Sequence, residues 1–321
     1  MRGCLILLFL LFLLTACRSV ETKESFNTLA LPADSVSVVV LGTLQDGGWP
    51  HAGCKKPCCD SLFRAGKTGG MVVSLGLCDA HNKSYYMVEA GPDWSRQVRH
   101  LQNLLPFTPA VQPSGIFLTH AHIGHYSGLM QLGKEVMNSA QVPVYAMPRM
   151  MDFINSNGPW DQLVKLNNIR LQALQADSEV TLSAALRIVP FKVPHRDEYS
   201  ETVGYRIEGP SKKLLFIPDI NKWEKWTRSI QAEIRAVDYA LIDATFYDAG
   251  EINHRDPAEI PHPFVIESMA RFDTLPLAEK KKIYFIHTNH TNPLLRESSE
   301  ATKTVEEKGF HVAKTDMIFK L

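Results

Sequence analysis

The chain lacks an excess of charge of either sign. Its 34 lysines and arginines balance 34 aspartates and glutamates, so the formal net charge is +0. Domains that bind nucleic acid usually carry a basic surface, and we therefore expect no nucleic-acid partner. The chain also lacks internal repeats and linker-like segments. This excludes a solenoid and favours one large domain, predicted over residues 35–321.

Long hydrophobic runs are missing beyond the N-terminus. The one such run, Leu5 to Leu14, follows a basic start and is too short to span a bilayer comfortably. It predicts a signal peptide over residues 1–16, followed by a polar tether over residues 17–34. Its end, Leu14-Thr15-Ala16-Cys17, resembles the lipobox of bacterial lipoproteins.

The lipobox resemblance implies that Cys17 is lipidated and anchors an exported protein to the membrane of the cell envelope. The alternative is an ordinary secretory signal that ends near a chance cysteine.

Cysteines are few, and most of those in the domain lie in one loop. Three of the four beyond Cys17 are Cys54, Cys58 and Cys59. Clustered cysteines in an exported protein usually form a disulfide, whereas an adjacent pair in a tight loop also suits a structural zinc. Both interpretations stay open. His51 or a distant histidine would complete a zinc site, and Cys78 is predicted to be a small buried apolar residue.

Apolar runs of strand length recur along the chain. They predict strands at residues 36–42, 71–77, 85–89, 142–146, 180–191, 202–208, 214–217, 239–243 and 283–286. Further elements, mostly helices by their spacing, are predicted at residues 93–105, 129–137, 223–235, 263–271 and 293–308. This order predicts two mixed β-sheets packed face to face with helices outside.

The segment Thr119 to Tyr126 places three imidazoles within six residues, directly after an apolar strand-like run. His120 and His122 share one side of an extended segment, and a turn would let His125 converge on them. Several neutral nitrogen donors favour a borderline cation such as zinc. The alternative is three surface histidines on a loop.

Further donors follow other apolar runs: Asp93, His195, Asp219 and His287. Any one of them alone is more typical of a turn or a helix cap. Their recurrence in the same structural context favours a common site.

In this arrangement the chain resembles the metallo-β-lactamase superfamily, whose motif is H-x-H-x-D-H followed by a lone His, a lone Asp and a final His. The resemblance covers about residues 36 to 321 and implies a four-layer αββα sandwich. It is nearest the coenzyme PQQ synthesis protein B branch, on strings such as Phe216-Ile217-Pro218-Asp219 and His287-Thr288-Asn289-His290-Thr291-Asn292-Pro293. Features of tRNase Z and related phosphodiesterases are also present.

The resemblance implies that His120, His122 and His195 hold one zinc, that Asp219 bridges, and that His125 and His287 hold a second. Iron or manganese is the alternative metal.

The resemblance also implies that Asp243 and His262 form a catalytic pair at the leaving group, with Asp219 as a possible base. His262 as a helix neighbour without a catalytic task is the alternative. In the related phosphodiesterases, cysteines of the first loop and a histidine close a structural zinc. Here that implies Cys54, Cys58 and Cys59 with His254, or with His51 in its place.

Gly124 departs from the family motif, which has an aspartate ligand there. We expect a weakened second metal site, which His290 or Asp93 could complete. The predicted function is metal-dependent hydrolysis of a phosphodiester or other small ester, with water activated on the metal. A non-haem oxygenase like PQQ synthesis protein B and a non-catalytic binding lipoprotein are the alternatives.

Overall fold

The computed structural model describes residues 31–196, 198–252, 256 and 259–321. The predicted signal peptide, Cys17, most of the tether and His254 lie outside the described residues. Within them, no helix is both long and apolar enough to cross a membrane.

The first sheet has seven strands, in the spatial order β14-β1-β2-β3-β4-β5-β6. Its members are β1 (Val36–Gly42), β2 (Ser74–Asp79), β3 (Ser84–Val88), β4 (Gly115–Phe117), β5 (Val142–Ala146), β6 (Ile169–Ala173) and β14 (Ile318–Lys320). The strands β14, β1, β2 and β3 pair antiparallel, whereas β3 to β6 pair parallel.

The second sheet also has seven strands, in the order β13-β12-β11-β10-β9-β8-β7. Its members are β7 (Val180–Thr181), β8 (Arg187–Lys192), β9 (Val203–Glu208), β10 (Lys213–Ile217), β11 (Tyr239–Asp243), β12 (Ile283–Ile286) and β13 (His311–Val312). Here β7 to β10 pair antiparallel and β10 to β13 pair parallel.

The α-helices of the described residues are α1 (Pro57–Ala65), α2 (Trp94–Leu104), α3 (Ile123–Tyr126), α4 (Pro148–Ser156), α5 (Trp160–Lys165), α6 (Ile230–Arg235), α7 (Val265–Arg271), α8 (Leu277–Lys280) and α9 (Glu300–Glu307). Helices α2, α4 and α5 pack on the outer face of the first sheet, and α6, α7 and α9 pack on that of the second. Short 3₁₀ helices occupy Ser127–Leu132, Trp223–Lys225, Ala249–Glu251 and Pro293–Leu295.

Three separate apolar cores define the four layers. The alternation of side chains in β1 shows this directly: Val38 and Val40 face the core between the sheets, whereas Val39 and Leu41 face the helical layer containing α2. A third core packs α6, α7 and α9 on the second sheet. Because β1 is buried on both faces, it is apolar at nearly every position. The predicted αββα sandwich is confirmed.

Several predicted elements are divided in the structure. Strand 180–191 is a hairpin of β7 and β8, because the Ser183 hydroxyl accepts from Leu186 N–H and stabilises a turn. The helices predicted at 223–235 and 293–308 are interrupted before Ser229 and Ser299, each of which caps a new helix with its side chain. The prediction of a helix over residues 129–137 is wrong. A 3₁₀ helix ends at Leu132, and Gly133 has extended backbone.

Candidate metal centre

Site residues gather at one edge because they follow strands that run in the same direction. Asp46 follows β1, Glu89 follows β3 and His120 follows β4 in the first sheet. His195 follows β8, Asp219 follows β10 and His287 follows β12 in the second. The pairing directions place all of these carboxyl ends at a common edge of their sheet.

Backbone hydrogen bonds join the two sheets at this edge. Val203 N–H donates to Thr119 O over 3.1 Å, and Gln45 N–H donates to Thr288 O over 2.9 Å. Thr288 N–H returns a bond to Thr43 O over 2.9 Å. The donors of one sheet are thereby fixed relative to those of the other.

The first donor group consists of His120, His122 and His195. His120 Nε2 and His122 Nδ1 are 2.8 Å apart, and the ring of His195 lies 5.3 Å from that of His120 and 5.0 Å from that of His122. His120 and His195 are buried, and His122 is partly exposed. The three imidazoles converge, with His195 of the second sheet joining two histidines of the motif.

The second group consists of Asp46, His125, Asp219 and His287. His125 Nε2 lies 3.0 Å from both Asp46 Oδ1 and Asp219 Oδ2. His287 Nε2 is 3.2 Å from Asp219 Oδ2 and 4.0 Å from Asp46 Oδ1. All but Asp46 are buried.

Asp219 faces both groups. Its Oδ2 lies 3.7 Å from His120 Nε2, and its Oδ1 lies 3.6 Å from His195 Nε2, in addition to the contacts with His125 and His287. A carboxylate between two sets of imidazoles is the arrangement that bridges a pair of cations.

The unpaired atoms of this cluster fit a metal ion. Six buried side-chain atoms here form no hydrogen bond: Asp46 Oδ1, His125 Nε2, His195 Nδ1, His195 Nε2, Asp219 Oδ2 and His287 Nε2. Several of these atoms lie 3.0 to 3.2 Å apart and yet form no hydrogen bond. Buried polar atoms without partners are costly, and a cation would satisfy them.

Outer partners fix the orientation of the imidazoles. Thr119 Oγ1 lies 2.9 Å from His120 Nδ1 and donates to Glu89 Oε1 over 2.5 Å, while Glu89 Oε1 lies 3.1 Å from His125 Nδ1. On the other sheet, Thr245 Oγ1 lies 3.0 Å from His287 Nδ1 and donates to Asp243 Oδ1. In each case Nδ1 is occupied, which leaves Nε2 as the ligand atom.

Two residues at the site have a strained backbone. Glu89 and His287 both have positive φ, 76° and 69°, although neither is glycine. Such conformations cost about 1–3 kcal/mol each and persist where the surrounding structure enforces them. The strain aims a buried carboxylate and a buried imidazole at the donor cluster.

Burial and charge set the protonation of the cluster. Burial lowers the pKa of His195 to about 4 and holds that of His120 well below its ordinary value. Burial opposes ionisation of Asp219, but the facing His287 and His195 hold its pKa well below the usual range. Burial also opposes protonation of His125, yet Glu89, Asp219 and Asp46 raise its pKa well above normal. The carboxylates around His125 therefore favour a positive charge at this position, either a proton or a bound cation.

His262 contacts Asp243. Its Nδ1 lies 2.8 Å from Asp243 Oδ2 and 3.5 Å from Asp219 Oδ1, and its ring lies 5.2 Å from that of His195. Burial opposes the proton on His262, but Asp243 outweighs it and raises the pKa. The pair therefore lies beside the donor cluster with an imidazole disposed to carry a proton.

The cysteine loop forms a separate donor group. Cys54, Cys59 and His290 group together, and Cys54 Sγ lies 3.9 Å from Cys58 Sγ. All three cysteines and Cys78 are free thiols, and Cys78 is buried. A sulfur separation of 3.9 Å is close to the edge of a zinc tetrahedron with bonds of about 2.3 Å, whereas a disulfide requires about 2.05 Å.

His290 is the histidine that the structure brings to the cysteines. Its Nδ1 lies 2.9 Å from Asn289 Oδ1, which leaves Nε2 free, and burial lowers its pKa to about 4. The ring of His51 stacks on that of His290 at 4.5 Å, and its Nδ1 accepts from Gly53 N–H. His51 therefore supports His290, and His254 lies outside the described residues.

Neither residue expected to compensate for Gly124 lies in the second donor group. Asp93 Oδ2 accepts from Val72 N–H, and its Oδ1 faces Arg96, while His290 belongs to the cysteine loop. Asp46 lies in the second donor group instead. The sequence did not lead us to predict it as a ligand. The signal was weak, since Asp46 stands in a glycine-rich turn where aspartate is common.

Two mixed sheets are packed face to face, and histidine and aspartate side chains cluster at one edge of them. These features define a class of αββα proteins that bind metal ions at this edge. Residues 85–288 match the family model described as the beta-lactamase superfamily domain, and the chain belongs to this superfamily.

The chain is also similar to individual proteins of known sequence or structure. The chain is 25% identical over 313 residues to coenzyme PQQ synthesis protein B of Methylobacterium sp. (strain 4-46), covering 87% of this chain and 97% of the relative. The crystal structure of zinc-bound PqqB from Methylobacterium extorquens has a TM-score of 0.74 at 23% identity, with 89% and 100% covered. That of a diphosphatase from the PhnP family has a TM-score of 0.60 at 18% identity, with 89% and 97% covered.

The state of the cysteines can be counted directly. We expect the protein lacking residues 1–24, denatured in the presence of a chelator, to release four thiols per chain to a thiol reagent, from Cys54, Cys58, Cys59 and Cys78. Omission of the chelator under mild denaturation should slow the reaction of three of them. A count of two would mean that the loop holds a disulfide and would contradict the zinc interpretation.

Proposed function

We propose that this protein is a metal-dependent hydrolase that acts on a phosphodiester or a similar small ester. The observation that carries the proposal is the buried Asp219 between two groups of unpaired imidazole nitrogens, with the Asp243–His262 pair beside it. Zinc binding by PqqB and the diphosphatase activity named for the PhnP-family structure support it by analogy.

In this proposal His120, His122 and His195 hold one cation, and His125 and His287 hold the second. Asp219 is shared between them. Imidazoles with carboxylates suit zinc, and iron or manganese would also accept this set. When bound, the cations supply Lewis acidity that makes water nucleophilic at neutral pH and stabilises charge developing on the ester oxygens.

The residues around the cations divide the remaining tasks. Asp219 holds both halves of the site together and can accept a proton from the attacking water. Asp243 binds His262 Nδ1 and leaves Nε2 to protonate the leaving oxygen. Arg196 is exposed, with its guanidinium 3.2 Å from His122 Nε2, and supplies a cation for an anionic substrate.

The rim of the site suits a small substrate with some apolar character. Ile123 and Tyr199 are 66% and 64% exposed, although both are large and apolar. Ile123 lies within the histidine motif, and Tyr199 contacts Phe153 with ring centroids 5.3 Å apart. These side chains would border a substrate bound next to His122.

We also propose that Cys54, Cys58, Cys59 and His290 bind a structural zinc. The loop they belong to continues from Asp46, and His290 follows His287 by three residues. A metal there would stiffen both segments that reach the catalytic cluster.

An oxygenase similar to PQQ synthesis protein B is the second candidate. A single non-haem iron typically uses two histidines and one carboxylate. Seven converging donors that include two carboxylates favour a two-cation hydrolytic site over that arrangement.

Removing one ligand of the first cation should stop hydrolysis. We expect His122→Ala to lower turnover of bis(p-nitrophenyl) phosphate by more than about a hundredfold, because even outer partners of metal ligands are worth about 10–100-fold. The matched control is His81→Ala. It removes an exposed histidine from the turn between β2 and β3 and should leave the rate unchanged. An unchanged rate in His122→Ala would overturn the proposed mechanism.

The role of His262 can be isolated by varying the leaving group. We expect His262→Gln to slow diphenyl phosphate hydrolysis by about 10²–10⁴-fold, because a poor leaving group needs the proton. The nitrophenyl ester, whose leaving group departs unprotonated, should lose much less. Metal content should be unchanged; equal losses for both esters, or lost metal, would argue against a general acid.

We further propose that the protein is exported and anchored to the membrane through lipidated Cys17, on the sequence of its N-terminus alone. Cells expressing the protein should incorporate labelled palmitate into it, and Cys17→Ser should abolish both the label and recovery in the membrane fraction. Cys4→Ser is the control and should retain both. Label retained in Cys17→Ser would refute the lipobox assignment.

A further inference from the structure

Asp46 and Gly124 compete for one volume next to the second donor group. A Cβ placed on Gly124 would lie 2.1 Å from Asp46 Oδ1 and 2.7 Å from Asp46 Cα. Real Cβ atoms do not approach other atoms so closely, so a side chain at position 124 would require both the carboxylate and the backbone of Asp46 to move.

The surroundings leave no room for either residue to move away. The carbonyl oxygen of Gly124 would lie 2.2 Å from a Cβ on Gly91, so the turn carrying His125 is pressed against the first sheet. On the other side, Gln45 N–H donates to Thr288 O and fixes the backbone next to Asp46. Asp46 and His287 are therefore held in register by the backbone.

The carboxylate of Asp46 is directed at the second donor group. Its Oδ1 is buried, forms no hydrogen bond and lies 3.0 Å from His125 Nε2 and 4.0 Å from His287 Nε2. Asp219 completes the group, so that two imidazoles and two carboxylates converge. That set is sufficient for a divalent cation when water fills any remaining position.

We propose that Asp46 is a ligand of the second cation, and that residue 124 is a glycine because Asp46 fills the space of its side chain. The carboxylate is supplied from the loop after β1 instead of from the histidine motif. This inference rests on the proposed function, because it names a ligand of the same metal centre. The second site is then complete, and the weakening expected from Gly124 does not follow.

Manganese binding tests the proposal without using activity. Mn²⁺ prefers oxygen and nitrogen ligands to thiolates, so its count reports on this centre and not on the cysteine loop. We expect the wild-type protein to bind two Mn²⁺ with the electron paramagnetic resonance spectrum of a coupled pair. Asp46→Asn and Asp46→Gly should each bind the second Mn²⁺ more than about a hundredfold more weakly.

A side chain at position 124 tests the shared space directly. Gly124→Asp should lose the second Mn²⁺, because its side chain collides with both the carboxylate and the backbone of Asp46. Asp60→Asn, on the partly exposed start of α1, is the control and should match the wild type.

The outcomes separate this inference from the proposed function. Wild-type affinity for both ions in Asp46→Asn, or in Gly124→Asp, would overturn the role of Asp46 and leave the metal centre standing. A wild-type protein that binds fewer than two Mn²⁺ would overturn both.

Discussion

The site depends on one buried carboxylate, Asp219, held between two sets of imidazoles. It is 2% exposed, and five histidine nitrogens, including that of His262, lie 3.0 to 3.7 Å from its oxygens. A lone carboxylate at such depth would be strongly destabilising. The surrounding nitrogens make it tolerable, and their unpaired atoms make the whole cluster suited to cations. Binding of cations would offset the free-energy cost of burying these polar groups.

The sandwich delivers these donors by the direction of its strands. The donor-bearing strands of each sheet run in the same direction, so their carboxyl ends lie at one edge, and the two edges are joined through Thr119, Thr288 and Thr43. Paired outer contacts repeat on both sides: Thr119 with Glu89 on the first sheet, Thr245 with Asp243 on the second. Each couples an imidazole to a carboxylate through a hydroxyl, which sets the tautomer that presents Nε2.

Much of the fold could be predicted from the sequence, because double-sided burial makes the strands continuous apolar runs. Residues 36–42, 142–146, 239–243 and 283–286 were predicted with the bounds that β1, β5, β11 and β12 have. Donors that directly follow such runs, including His195, Asp219 and His287, were identified for the same reason. Helix ends were less predictable, because serine is common at many kinds of position. Only the structure shows that the side chains of Ser229 and Ser299 cap helices.

Contacts through space set the limit of prediction. Asp46 precedes His125 by 79 positions, and nothing in the intervening chain indicates that their atoms lie 3.0 Å apart. The same holds for His290, which joins Cys54 and Cys59 only because β1 and β12 end side by side. A glycine at position 124 appears as a loss in the sequence, whereas in three dimensions it leaves space for another residue.

An anomalous difference map from a crystal of the zinc-loaded protein would show whether Asp219 joins two cations. We expect two peaks about 3.5–4 Å apart, as in other paired-metal sites, with Asp219 within bonding distance of both. His120, His122 and His195 should surround one peak, and His125 and His287 the other. A map without density beside Asp219, or with zinc only at the cysteine loop, would contradict this expectation.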